Sequence, residues 1–287
     1  VDNATCGRFN PCRTFAAAQI PVVPGGEIVV LDAGGYSPIT ITKSLSIIAD
    51  GVMAGINPQT GNAITVAAGA TDKVFIRGLY LEGKGTGARG INATGFGSLF
   101  IENVRINAFS GDVMSTGINI APTTTGTHYV SIKDSEVRNS LNEGIGFSGG
   151  LGGPLTMVID HTRIERNTFG ISGANGTVTL RDSMISGNSN AGISTIGGIS
   201  PVLTHINVVE STVSHNGTNG IETNSFGPAS VNMRYRLTNS SLTNNGSCGV
   251  FVNAPAVVET VQNNLISGNT VGQVCGGVLT PTPLGER

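Results

Sequence analysis

The residues of this 287-residue chain best suited to chemistry are the group Asp160, His161, Glu165 and Arg166. Two carboxylates and an imidazole in one short stretch could supply a general acid and a general base. His161 also falls in a column of turn residues with Asp134, Asp182 and Glu210, so the same position suits a purely structural turn. A second group joins Arg234-Tyr235-Arg236 to Glu259, which alignment places in an inward column beside Tyr235. A carboxylate there would have a raised pKa or would mark a frayed last rung. The four cysteines form two local sets, Cys6 with Cys12 and Cys248 with Cys275. Their even number favours disulfides in an oxidising compartment. Neither set has the spacing or the nearby histidine of a structural zinc site, and no metal is assigned.

The elements that must position these residues are set out most cleanly between Val178 and Val250. There the strings VTLRDSMISGNSNAGI, INVVESTVSHNGTNGI and YRLTNSSLTNNGSCGV follow one another. Each string gives an alternating strand, a polar turn, a second short strand, an asparagine, and a glycine followed by a β-branched residue. Over the longer chain, one apolar column reads Ile76, Ile101, Ile132, Ile159, Leu180, Val208, Leu237 and Val261. A second, five residues on, reads Leu81, Ile106, Val137, Ile164, Ile185, Val213, Leu242 and Ile266. The intervals of 21 to 31 residues correspond to one turn of a solenoid. Asn167, Asn188, Asn216, Asn245 and Asn269 form a third column, in which stacked amides could bond to each other and to the turn backbone. The glycines are expected to provide the backbone angles of the bend.

Short strands with no helices between them cannot form βαβ units, and identical columns require like strands to stack in parallel. The expected fold is all-β: a single-domain, right-handed parallel β-helix of nine or ten rungs over residues 27–279. A β-propeller would need longer repeats and antiparallel blades. Residues 1–26 read as an N-terminal cap containing a short helix within Arg13 to Ile20, ended by Pro21 and Pro24. Residues 280–287 read as an extended, proline-broken tail that leaves the last rung without a helical cap.

Composition narrows the function. A net charge of -2 and a pI near 6.1 offer no electrostatic footprint for nucleic acid. No apolar run is long enough to span a bilayer. The chain carries no charged-then-apolar leader, so a signal peptide would have been removed or not included. Outward positions carry Arg77, Glu102, Lys133, Asp160 and Arg181, then Tyr80, Arg105, Glu136 and Arg163, alternating in sign as a register-keeping ladder would. Phe75, Phe100 and Val158 fall in another outward column, where apolar residues imply cover by a loop or by a partner.

The strings SGNSNAGI, SHNGTNGI and ERNTFGI, with the polar-Ser turn before them, resemble the right-handed β-helix family of pectate-lyase-like fold. The resemblance covers residues 27–279 and implies the fold. It leaves the activity open among lyases, hydrolases, epimerases, adhesins and fibre proteins. Enzymes of that kind cluster acidic residues on one outward face, with calcium in some lyases; here the acids are matched with bases and spread along the axis. The expectation is therefore a secreted or cell-surface structural or adhesive β-helix without a cofactor. It would act by self-association or by lateral binding of a surface or polysaccharide partner. The alternative is a polysaccharide-active lyase, hydrolase or epimerase, with calcium in the lyase case.

Overall fold

A computed structural model of the chain describes residues 6–149, 153–197, 203–225, 233–253, 256–261 and 263–281. The strands form three parallel sheets, and each sheet takes every third strand of the chain. Sheet A starts at Gly26–Val29 and ends at Leu279–Pro281. Sheet B runs from Gly34–Tyr36 to Leu265–Ser267, and sheet C from Ile39–Ile41 to Gly272–Cys275. Among the described residues the sheets hold eleven, ten and ten strands, roughly the expected rung number. Of the tail, residues 282–287 lie outside the described residues.

The registers follow the apolar columns. Ile76, Ile101, Ile132, Ile159, Leu180, Val208 and Leu237 are successive partners in sheet A. Leu81 through Ile266 are successive partners in sheet B. The one error is the last member of the first column: Thr260, not Val261, stands opposite Leu237. A slip of one residue turns every side chain of a strand to the other face. The observed register buries Val258 opposite Tyr235, which is itself fully buried.

Two kinds of bend join the sheets. From sheet A to sheet B, each rung uses one residue in the left-handed region: Asn103, Asp134, His161, Asp182, Glu210 and Asn239, with φ between 46° and 50°. After Asn103 the next residue is Val104, but from Asp134 onward it is a small hydroxyl side chain that accepts from the corresponding residue one rung earlier. Thr162 N donates to Ser183 Oγ at 3.0 Å, Ser183 N to Ser211 Oγ at 3.2 Å, and Ser211 N to Ser240 Oγ at 3.2 Å. From sheet B to sheet C runs the asparagine ladder, buried throughout. Asn167 Oδ1 accepts from Ser140 N, and each later Oδ1 accepts the backbone N–H and the side-chain amide of the asparagine one rung earlier, as in Asn188 to Asn216 at 3.2 and 2.9 Å and Asn216 to Asn245 at 3.1 and 3.0 Å. The ladders thus pair the backbone donors of these buried bends, while the Ser140 hydroxyl, one rung before Asn167, is buried without a partner.

The glycines after the ladder do not have the expected role. Gly90, Gly117, Gly144, Gly170, Gly192, Gly220 and Gly249 all lie outside the left-handed region. They are required by space: a Cβ on each would come within 2.5 to 2.8 Å of the backbone oxygen one rung on.

At the N-terminal end the helix is Phe15–Gln19, capped by Thr14, whose side chain accepts from Ala17 N. Phe15 is buried against the first rung, and Lys43 Nζ donates to the carbonyls of Gln19 and Val22. Disulfides join Cys6 to Cys12 and Cys248 to Cys275, leaving no free cysteine among the described residues. Among those residues no helix is long and apolar enough to cross a membrane.

Candidate functional site

Asp160 ends a sheet A strand, and His161 forms the left-handed bend after it. Arg181, its register partner one rung on, donates from Nε to Oδ1 at 3.1 Å and from Nη2 to Oδ2 at 3.0 Å. His161 Nδ1 stands 3.0 Å from Oδ1. The Arg181 guanidinium, opposed by partial burial and helped by His161, holds the Asp160 carboxyl below the usual aspartate range. A carboxylate paired in this way is a weak base and holds no proton to give as a general acid near neutral pH. Asp160, His161 and Asp182 bring ligand atoms within 4.8 Å of one another, but Arg181 engages both Asp160 oxygens where a cation would bind. Glu165 lies on sheet B and is held by Arg163 at 2.9 Å. The expected acid and base are thus each neutralised by a separate arginine.

Glu259 faces outward, correcting the inward expectation. It stands opposite Arg236, accepts from Arg236 Nε at 2.6 Å, and lies 3.5 Å from Arg234 Nε. Tyr235, between the two arginines, points inward and donates its hydroxyl to Thr195 Oγ1 at 2.7 Å. Burial raises the Tyr235 pKa far above its ordinary value, so it stays protonated.

The alternating charges are in register as expected, yet most do not pair across rungs. Lys133 pairs with Asp134, Arg138 with Glu136 and Arg163 with Glu165, each within its own rung, while Arg77 reaches back one rung to Asp50. Asp160–Arg181 is the one contact of the expected ladder that forms among the described residues. Most partners lie on the same strand or the adjoining turn because the short separation along the chain outcompetes the rung spacing for exposed side chains.

Phe75 and Phe100 are register partners in sheet A with ring centroids 6.3 Å apart, and the file continues to Tyr129, 5.9 Å from Phe100. The Arg77 guanidinium lies 5.6 Å from the Phe75 ring centroid. Val158 is in the same outward column but is separated from Phe100 by Ser131. Tyr129, from the neighbouring column, takes the place expected of Val158. The rings are half-buried, with Tyr129 37% exposed, so the file is open along one side.

Sequence reading passed over one carboxylate, Glu143. It begins a sheet C strand, and its oxygen lies over Gly146, where a Cβ would come within 2.1 Å of it. Thr116 Oγ1 is 3.4 Å away. Burial pushes the Glu143 carboxyl above its usual range, while Ser172, Thr116 and Arg89 counter the shift. The signal lay in register: Arg89 and Thr116 are partners, and Gly146 leaves a gap between Asn119 and Ser172. Finding it required the sheet C alignment, which the sequence columns did not extend to its outward face.

Comparison with solved structures finds the same coil elsewhere. The pectate lyase Pel9A superposes with a TM-score of 0.55 at 17% identity, covering 93% of this chain and 74% of that one. The A-module of Azotobacter vinelandii mannuronan C-5 epimerase AlgE4 aligns at 15% identity with a TM-score of 0.46, over 90% and 91% of the two chains. At 17% identity the likeness to Pel9A is one of fold. No curated protein matches the chain in sequence. The family described as right handed beta helix region matches residues 89–271, most of the coil. With its three parallel sheets and internal ladders, the chain belongs to the right-handed β-helix family.

Proposed function

We propose that this protein is a secreted or surface-displayed β-helix that binds a polysaccharide along the outer face of sheet A without turning it over. The observation that carries this reading is the file Phe75, Phe100 and Tyr129. Three aromatic rings on successive rungs, tilted 44° and 53° to one another, make a largely apolar strip, and aromatic faces are suited to the apolar faces of sugar rings. Lys73, Ser98 and Thr156 lie on the same outward side of the sheet and can bond the hydroxyls at the edge of a chain. The disulfides fit an oxidising compartment. Against catalysis stand the arginines that neutralise Asp160, Glu165 and Glu259.

Affinity electrophoresis in gels containing pectin, alginate, xylan or glucan tests the reading. Retardation by at least one polymer, abolished by Phe100→Ala with Tyr129→Ala, is expected. Equal migration of native and variant protein in every gel would refute it. The polysaccharide-active alternative, supported by the pectate lyase fold likeness, predicts release of oligosaccharides or of unsaturated products from the same polymers.

A further inference from the structure

Sheet C differs from sheets A and B in what it shows to the outside. Where those sheets present arginine, lysine and carboxylates, one outward column of sheet C reads Thr65, Asn92, Asn119, Gly146, Ser172 and Ser194 before it reaches Glu222. Short polar side chains keep this face low, so a ligand could approach the sheet closely. Asn119 Nδ2 donates to Asn92 Oδ1 at 2.8 Å, which fixes both amides.

Glu143 sits at the centre of the face and is held from beneath. Thr116 and Ser172, 2% and 6% exposed, flank its carboxyl, which lies flat over Gly146. Polar groups buried that deeply need a partner: Ser172 has the carboxyl, while Thr116 stands 3.4 Å from it and donates to Met114 O at 3.0 Å. Arg89, on the preceding side, makes no ion pair among the described residues. Its Nε is buried without a hydrogen-bond partner, although its charge reaches Glu143. The result is a preorganised carboxyl beside two locked amides, with the local charges opposed. Such a set of donors and acceptors has little to offer a polyanion and much to offer neutral hydroxyls.

We propose that the outer face of sheet C around Glu143, Asn92 and Asn119 is a binding site for a neutral, hydroxyl-rich ligand, a sugar ring of an uncharged glycan. The site is independent of the aromatic file, which lies on a different sheet. The carboxyl and the amides bond the ligand's hydroxyls, while Thr116 and Ser172 are positioning residues that act through Glu143. The Glu143 carboxyl, seated over Gly146, accepts from the ligand's hydroxyls.

Saturation-transfer NMR and calorimetry with neutral gluco-, manno-, galacto- and xylo-hexaoses, and with oligogalacturonate as the anionic probe, test the proposal on the intact chain. At least one neutral hexaose is expected to bind. Gly146→Ala, whose Cβ displaces the carboxyl from its seat without touching the ladders, is expected to weaken that binding tenfold or more at unchanged Tm. Glu143→Gln, which keeps the hydrogen bonds, is expected to change it less than threefold, and Phe100→Ala with Tyr129→Ala to leave it intact. The proposal is overturned if no neutral hexaose binds, if oligogalacturonate alone binds, or if Gly146→Ala has no effect. Loss in the Phe100 and Tyr129 variant alone would also overturn it, placing the ligand on sheet A and leaving the reading of that sheet standing.

Discussion

The α-carbon of Gly170 lies so close to the next rung that a Cβ built on it would stand 2.5 Å from the carbonyl oxygen of Gly192. It would also meet Ile185 Cγ2 at 2.4 Å and the Asn188 amide at 3.0 Å. The file of glycines in sheet C is therefore the seam along which successive rungs touch, and it lies directly against the asparagine ladder.

Gly170→Ala should cost about 3 kcal/mol, the upper part of the range for overpacking, because the obstacle is backbone on an adjacent rung. Gly35→Ala, with open space around its position, should cost less than about 1 kcal/mol. Urea melts of the two variants read the difference.

Within the ladder, Asn216 accepts two hydrogen bonds from Asn188 and gives two to Asn245. Asn216→Ala would leave a buried backbone N–H of Asn188 unpaired, at a cost of about 2–3 kcal/mol. Asn269→Ala, at the end of the ladder and 7% exposed, should cost about half as much. Chemical denaturation of both variants checks the order; equal losses would contradict a stacked network.

Cys248 and Cys275 link adjacent strands of sheet C across a 27-residue separation, close to the last rung. Reduction should remove about 3 kcal/mol, as expected for a loop of that size. Hydrogen exchange should accelerate first in Val257–Thr260 and Gly272–Cys275, with the Val178–Val213 coils unchanged.

Two carboxyls should give opposite pH signatures. Asp160 has its pKa depressed by Arg181, so its contribution is present above the unfolded value and is lost as pH falls through the folded value. Asp160→Asn should lose about 0.5–1 kcal/mol at pH 7 and almost nothing near pH 2, Arg181 being half exposed. Glu143 has its pKa raised, so the folded state holds the proton more tightly and stability declines as pH rises from the unfolded value through the folded one. Glu143→Gln should therefore raise Tm at pH 7 more than at pH 4. Melting curves across pH for the two variants measure both signs.

The sequence alone determined the coil, because the features that build it are periodic. Inward isoleucines and valines run the length of the coil, and the asparagine column and the glycine and β-branched pairs recur over several successive rungs, so each position is reported several times over. Periodicity did not reveal why the glycines are there: only the distance between Gly170 and Gly192 shows that space, not backbone angle, demands them. It also failed where the repeat is least regular, at Val261 and Glu259, where one residue of register decides which side chain faces out. The outward face was the least legible part. Ion-pair partners depend on side-chain reach, as Arg77 with Asp50 shows, and Tyr129 joined Phe100 from a neighbouring column. Glu143 became a site only when three rungs of sheet C set Thr116, Gly146 and Ser172 around it, residues far apart in sequence that the coil stacks within hydrogen-bonding reach.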